Sequence, residues 1–279
     1  MDLTIALDVN AARLLHLDWL MQLETAFAAE PGGAPKAKAP QSDAECDLGV
    51  WLREVGRERY GAFDEVRTLG AEHKKFHKAI EKAVASLHMG ERDKAEAHLQ
   101  AARSMSKDIV YLLTFIELEI LERERKRASA FNPLAALGRL FSGGLAPGRP
   151  VFAPSSWRNP TILLDVTYAR LLHLKWTAQM SRLFRNFGRG VTVQSHEACQ
   201  VGSWLNRVGL RKYAHVAEIG ALDAAHIGFH DAARRTIESL KFQRFQQAQD
   251  AYGEVNALSR EIIYLLTVIE YRLELPAPG

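Results

Sequence analysis

Residues 4–19 read TIALDVNAARLLHLDW and residues 161–176 read TILLDVTYARLLHLKW, with twelve of sixteen positions identical at an offset of 157. The match resumes along the chain at an offset of 153. CDLGVWLREVG at 46–56 corresponds to CQVGSWLNRVG at 199–209, and KDIVYLLTFIE at 107–117 to REIIYLLTVIE at 260–270. The chain is therefore one unit written twice, and each copy, at about 110–120 residues, has the size of a small domain rather than a solenoid repeat. The change of offset places four extra residues in the first copy, in an interval containing EPGGAPKAKAPQ (30–41), which reads as a loop.

Apolar residues in each copy recur at helical spacing and no segment alternates as a strand does. The expected fold is all-α: two tandem four-helix bundles. In the first copy helix 1 is expected from Asp8, as N-cap, to Ala29, and helix 2 after a capping box Ser42-Asp43-Ala44-Glu45, ending at Gly56. Helix 3 is expected from Phe63 to Met89, stopping at Gly90, and helix 4 from Arg92 to Arg127. The second copy repeats the pattern at about 165–187, 195–208, 214–240 and 242–272. This sets domains at 1–127 and 161–274. Between them, 128–160 is a Pro/Gly-rich linker by composition, with PLAALGRLF (133–141) as a short amphipathic turn or a loose surface segment.

Bulk properties exclude several function classes. The chain has 36 basic and 33 acidic residues, too even a balance to direct it to nucleic acid. No apolar run is long enough to span a membrane, and the N-terminus lacks the basic start of a signal peptide. Two cysteines make no disulfide framework, so a reduced, cytoplasmic protein is expected.

The histidines carry the functional signal. Of the ten, six fall at matching positions: His16 with His173, His73 with His226, and His77 with His230. Both cysteines match as well, Cys46 with Cys199. His88, His98, His196 and His215 have no histidine counterpart and read as surface residues. His73-x-x-Phe76-His77 and His226-x-x-Phe229-His230 place two imidazoles on one helix face. A bundle can aim residues from three helices at one interior point, and three imidazoles with one thiolate form a closed tetrahedral zinc set. Sulfur and nitrogen donors argue against calcium and magnesium. Copper, nickel and a metal-free core stay open on spacing alone. Enzyme chemistry is not expected. Lys74 and Ile227 stand where the His-Glu-x-x-His motif has its glutamate, four protein ligands leave no open position, and no phosphate loop or nucleophile elbow is present.

The blocks HLDW and HLKW, CDLGVW and CQVGSW, and HKKFH and HIGFH together resemble the chemoreceptor zinc-binding (CZB) domain family over most of both copies. Val201 departs from the usual leucine of the cysteine block. The resemblance implies a four-helix bundle holding zinc through three histidines and one cysteine. Carried over, the ligands are His16, Cys46, His73 and His77 in the first copy and His173, Cys199, His226 and His230 in the second, two zinc ions per chain. It also implies a sensor of zinc, or of hypochlorous acid through the zinc-bound cysteine, that signals through a partner protein. The alternative is a scaffold in which zinc only staples the bundles. Family domains pair as homodimers beside a chemoreceptor signalling region or a diguanylate cyclase. Neither kind of region is read in these residues, so the two copies are expected to pack on each other as a pseudo-two-fold dimer. Leu48, Gly49 and Trp51, with Gly202 and Trp204, are expected to pack helix 2, and the phenylalanine between the histidines to pack beside the metal.

Overall fold

The computed structural model describes residues 3–28, 42–130 and 193–274, together with positions 166, 169–174, 176, 177 and 180. The loop at 30–41 and the segment 133–141 lie outside the described residues, as does nearly all of the expected linker. Every regular element among the described residues is helical. In the first half these are α1 (Leu3–Ala28), α2 (Asp47–Trp51), α3 (Arg57–Tyr60), α4 (Asp64–His88) and α5 (Arg92–Ala130). In the second half, helical residues between 166 and 180 are followed by α6 (Gln200–Trp204), α7 (Leu210–Lys212), α8 (Glu218–Lys241) and α9 (Phe245–Glu274).

Helix α4 shows why the pattern folds as it does. Asp64 and Glu65 occupy its first turn, where carboxylates complement the helix dipole. Val66, Leu69, His73, Phe76, His77, Ile80, Ala83 and Val84 are buried, three or four residues apart. The two histidines thus continue an apolar stripe into the bundle. Gly90 ends the helix with φ +75°, a conformation natural to glycine. The second copy puts Gln243 at the equivalent left-handed position, φ 56°.

Several expected boundaries are corrected. Helix α1 begins at Leu3, so Asp8 lies inside it and not at its N-cap position. The run 42–45 forms a turn that precedes α2: Ser42 Oγ donates to Glu45 (2.9 Å), and the Cys46 amide donates to the Ser42 carbonyl (3.2 Å). The N-cap is Cys46 itself, its Sγ accepting the Gly49 amide at 3.3 Å. Gly56 does not stop the helix. The chain continues through one π-helical stretch, Leu52–Gly56, into α3. Gly56 is there for space: a Cβ would sit 3.1 Å from the Trp51 ring. The same π stretch recurs at Leu205–Gly209. Helix α5 extends to Ala130, three residues into the expected linker.

Each half has its own buried core, and a third cluster joins them. Leu17, Val110 and Leu118 of the first half pack with Leu174, Ile263, Tyr264 and Val268 of the second. Charges meet reciprocally around this cluster. Lys107 pairs with Glu261, and Arg260 with Asp108 at 2.9 Å. Lys107 also lies over the Tyr264 ring, and Arg260 over that of Tyr111. At the centre, Arg13 donates to Glu117 (2.9 Å) and Arg170 to Glu270 (2.5 Å), all four side chains being at most 4% exposed. Arg170 also lies 4.0 Å from Glu117, and Asn10 donates to Glu270 at 3.3 Å, so the network crosses between the halves.

Candidate metal centre

Helix α4 presents His73 and His77 from its buried stripe, and the start of α2 presents Cys46. The Cys46 Sγ lies 3.2 Å from His73 Nε2, and His77 Nε2 lies 3.1 Å from His73 Nε2. One donor atom from each of the three residues falls within 4.8 Å of both others. The second half brings Cys199, His226 and His230 together in the same way, with Sγ 3.2 Å from His226 Nε2. All six residues are buried.

The local fold of the cysteine is set by a glycine. A Cβ on Gly49 would lie 1.9 Å from the Asp43 carbonyl oxygen, and one on Gly202 would lie 1.6 Å from that of His196. Only glycine lets the preceding turn close over the helix start and bring the Gly49 or Gly202 amide onto the sulfur. The Cys-x-x-Gly spacing is therefore a requirement of the cap.

His16 stands beside the trio rather than within it. Its Nε2 is bonded to Ser106 Oγ of α5 at 3.0 Å, and its ring centroid is 6.4 Å from that of His73. His173 is held by Ser259 at 3.2 Å in the same manner. His16, Cys46 and His77 line one small cavity of about 20 Å³, room for a single ion or water molecule. Phe76 is fully buried and packs on His16 (4.7 Å) and Trp19 (5.7 Å). Trp19 in turn packs on His77, so these rings wall the site on one side.

The electrostatics favour the neutral form of His16, His73, His173, His226 and His230. Burial, together with the neighbouring imidazoles, lowers His16 and His173 to about 3. Burial and the adjacent His77 or His230 lower His73 and His226 to about 4. His230 is lowered chiefly by burial, and its Nδ1 is hydrogen bonded to the Gln194 carbonyl (2.9 Å). Burial pushes both thiols up, against the pull of the backbone amides that face them. Neutral imidazoles and a sulfur at the end of converging helices suit a soft or borderline cation, whose charge would draw off the thiol proton. The residues present fit zinc.

Residues 16–84 match the chemoreceptor zinc-binding domain family. The matched stretch of the CZB domain begins at His16 and ends beyond His77, so it spans the trio and the histidine beside it. The second trio, in the repeat, has the same residue types in the same arrangement. No curated protein and no solved structure matches the chain. No helix among the described residues is long and apolar enough to cross a membrane.

Of the four unmatched histidines, His88 and His215 are exposed, but His98 and His196 are half-buried, and His196 acts electrostatically on His226 and His230. Helical spacing does not mark the serines that hold His16 and His173, but the repeat does: Ser106 and Ser259 match at the 153 offset, one residue before the KDIVYLL and REIIYLL blocks.

Proposed function

We propose that the chain is a non-catalytic zinc-binding regulatory protein, with each of two four-helix domains (1–127 and 161–274) holding one zinc ion. Its ligands are His16, Cys46, His73 and His77 in one and His173, Cys199, His226 and His230 in the other. The observation that carries the reading is the convergence of Cys46, His73 and His77, and of Cys199, His226 and His230, each within 4.8 Å. The CZB match over the first trio points to the same chemistry and to a sensory setting. Zinc, when bound, would supply a positive charge that holds the cysteine as a thiolate beside neutral imidazoles. His16 would join by a small movement of α1 relative to α4, so metal uptake and packing of α1, α2 and α4 are linked. Zinc level is one signal for such a site. Oxidation of the thiolate is another: hypochlorous acid converts it to a sulfenic acid with release of chloride, removing a ligand.

The two halves form a pseudo-two-fold pair within one chain. The reciprocal contacts Lys107–Glu261 and Arg260–Asp108 support this, since a two-fold interface returns each contact with the roles exchanged. A signalling protein receives the output. The test is zinc content of the chain purified without chelator, followed by zinc exchange against a competing chelator. Two equivalents that exchange, and that hypochlorous acid releases, are expected. A chain without zinc refutes the metal reading, and zinc that neither exchanges nor responds to oxidant reduces it to a structural staple.

A further inference from the structure

The two sites share their inner residues but not their surroundings. Asp43 belongs to the turn closed over Gly49 and lines a groove of about 550 Å³ with Gly49 and His73. Asp47, the first residue of α2, lines the small cavity with His16, Cys46 and His77. In the second half the equivalent positions are His196, whose carbonyl closes over Gly202, and Gln200, the first residue of α6. A site with a dication, one thiolate and neutral imidazoles carries a net positive charge. Two acidic residues flank it in the first half, Asp43 half-buried and Asp47 exposed; a histidine and a glutamine flank it in the second.

We propose that the two sites are unequal: the Cys46 site holds a dication more tightly than the Cys199 site, because Asp43 and Asp47 flank the first where His196 and Gln200 flank the second. The chain then fills in order and carries two metal thresholds. This rests on the zinc-binding reading above. The inner residues of the two sites are similarly buried, so the difference lies in the flanking charge. Asp43 acts on both Cys46 and His73, and Asp47 on Cys46, whereas His196 acts on His226 and His230 with the opposite sign. Other charges lie near both sites: Lys74 and Lys78, exposed on α4, follow His73 and His77 where Ile227 and Asp231 follow His226 and His230, and Glu197 lies 3.9 Å from His196. Among charged carboxylate and amine groups, those that act on Cys46 and His73 are Asp43 and Asp47. Asp231 lies next to His230, but it is half-exposed and paired with Arg234 at 2.9 Å. Three arginines also line the groove of Asp43: Arg67 is paired with Asp64 (2.7 Å), Arg53 lies 3.6 Å from Glu54 and donates to the Ala44 carbonyl (2.9 Å), and Arg57 is the third.

The experiment is a zinc titration of the full chain against a chromophoric chelator, with each site isolated in turn by Cys46→Ser with His77→Ala or Cys199→Ser with His230→Ala. Two affinities differing by about tenfold are expected, the scale of one charge pair largely screened by water. The tighter one should disappear with the Cys46 variant. Asp43→Asn with Asp47→Asn should weaken the first site about tenfold and leave the second unchanged. His196→Asp with Gln200→Asp should tighten the second, which keeps the test decisive if the first pair disturbs folding, as read by circular dichroism. Equal affinities, a tighter Cys199 site, or an unchanged ratio in the charge variants overturns the proposal while leaving zinc binding intact. A chain that takes up no zinc overturns both.

Discussion

Replacing Gly49 by alanine tests whether the metal centre depends on the cap at the start of α2. The new Cβ would lie 1.9 Å from the Asp43 carbonyl oxygen, more than an ångström inside any ordinary contact, and the obstacle is backbone. Either the turn or the helix start must move. Movement breaks the bond from the Gly49 amide to Cys46 Sγ, now 3.3 Å, worth about 1 kcal/mol. Overpacking in a closed core costs a further 1–3 kcal/mol or so. Alanine returns about 1 kcal/mol through its helix propensity, which leaves a net loss of about 2 kcal/mol. Gly253→Ala is the internal control, since no atom lies within 4 Å of its Cβ, and it should stabilise by about 0.5–1 kcal/mol. Urea unfolding of the zinc-free chain reads both values, and chelator competition reads the metal. The Cys46 site should weaken markedly, because its sulfur is carried on the displaced turn. Gly49→Ala that unfolds within about 0.5 kcal/mol of the unsubstituted chain, with zinc affinity unchanged, would refute the role given to the cap.

Two further outcomes are expected. Glu270→Ala leaves Arg170 and Arg13 buried beside a missing carboxylate and should cost about 3–5 kcal/mol, whereas exposed Glu254→Ala, removing its pair with Arg235, should cost under about 1 kcal/mol by the same denaturation curves. The zinc-free chain should lose stability on acidification: its buried histidines stay neutral down to about 3 and about 4 while the unfolded chain takes up protons near 6.5, so stability is full above that pH. It should fall by about 1.4 kcal/mol per pH unit for each group between 6.5 and 4, as measured by unfolding at a series of pH values.

Much of the candidate metal centre was legible in the chain because it was written twice. The matched histidines and cysteines set His16, Cys46, His73 and His77 apart from the scattered histidines. Helical spacing then placed His73 and His77 on one stripe with Leu69 and Phe76, and all four are buried there. The ends of elements were less legible. Ser42 through Glu45 has the composition of a capping box, yet the sulfur of Cys46 does the capping, because the turn folds back over Gly49 instead of running straight into helix. Gly56 has the look of a stop, yet it lies in continuous helix, where the missing side chain makes room for Trp51.

The sequence by itself determined the helical class, the duplication and the inner residue set, since these depend on local periodicity and on residue type. The tertiary structure alone decided which atoms meet. It placed three of the four residues of each set in mutual contact and left His16 and His173 against serines one helix away. It also brought Arg13, Glu117, Arg170 and Glu270 into one buried network, although Arg13 and Glu270 lie at opposite ends of the chain. Such contacts follow from how helices cross in a packed core, where a buried charge must find its counter-charge from whichever half supplies it. Residue spacing carries no record of that choice.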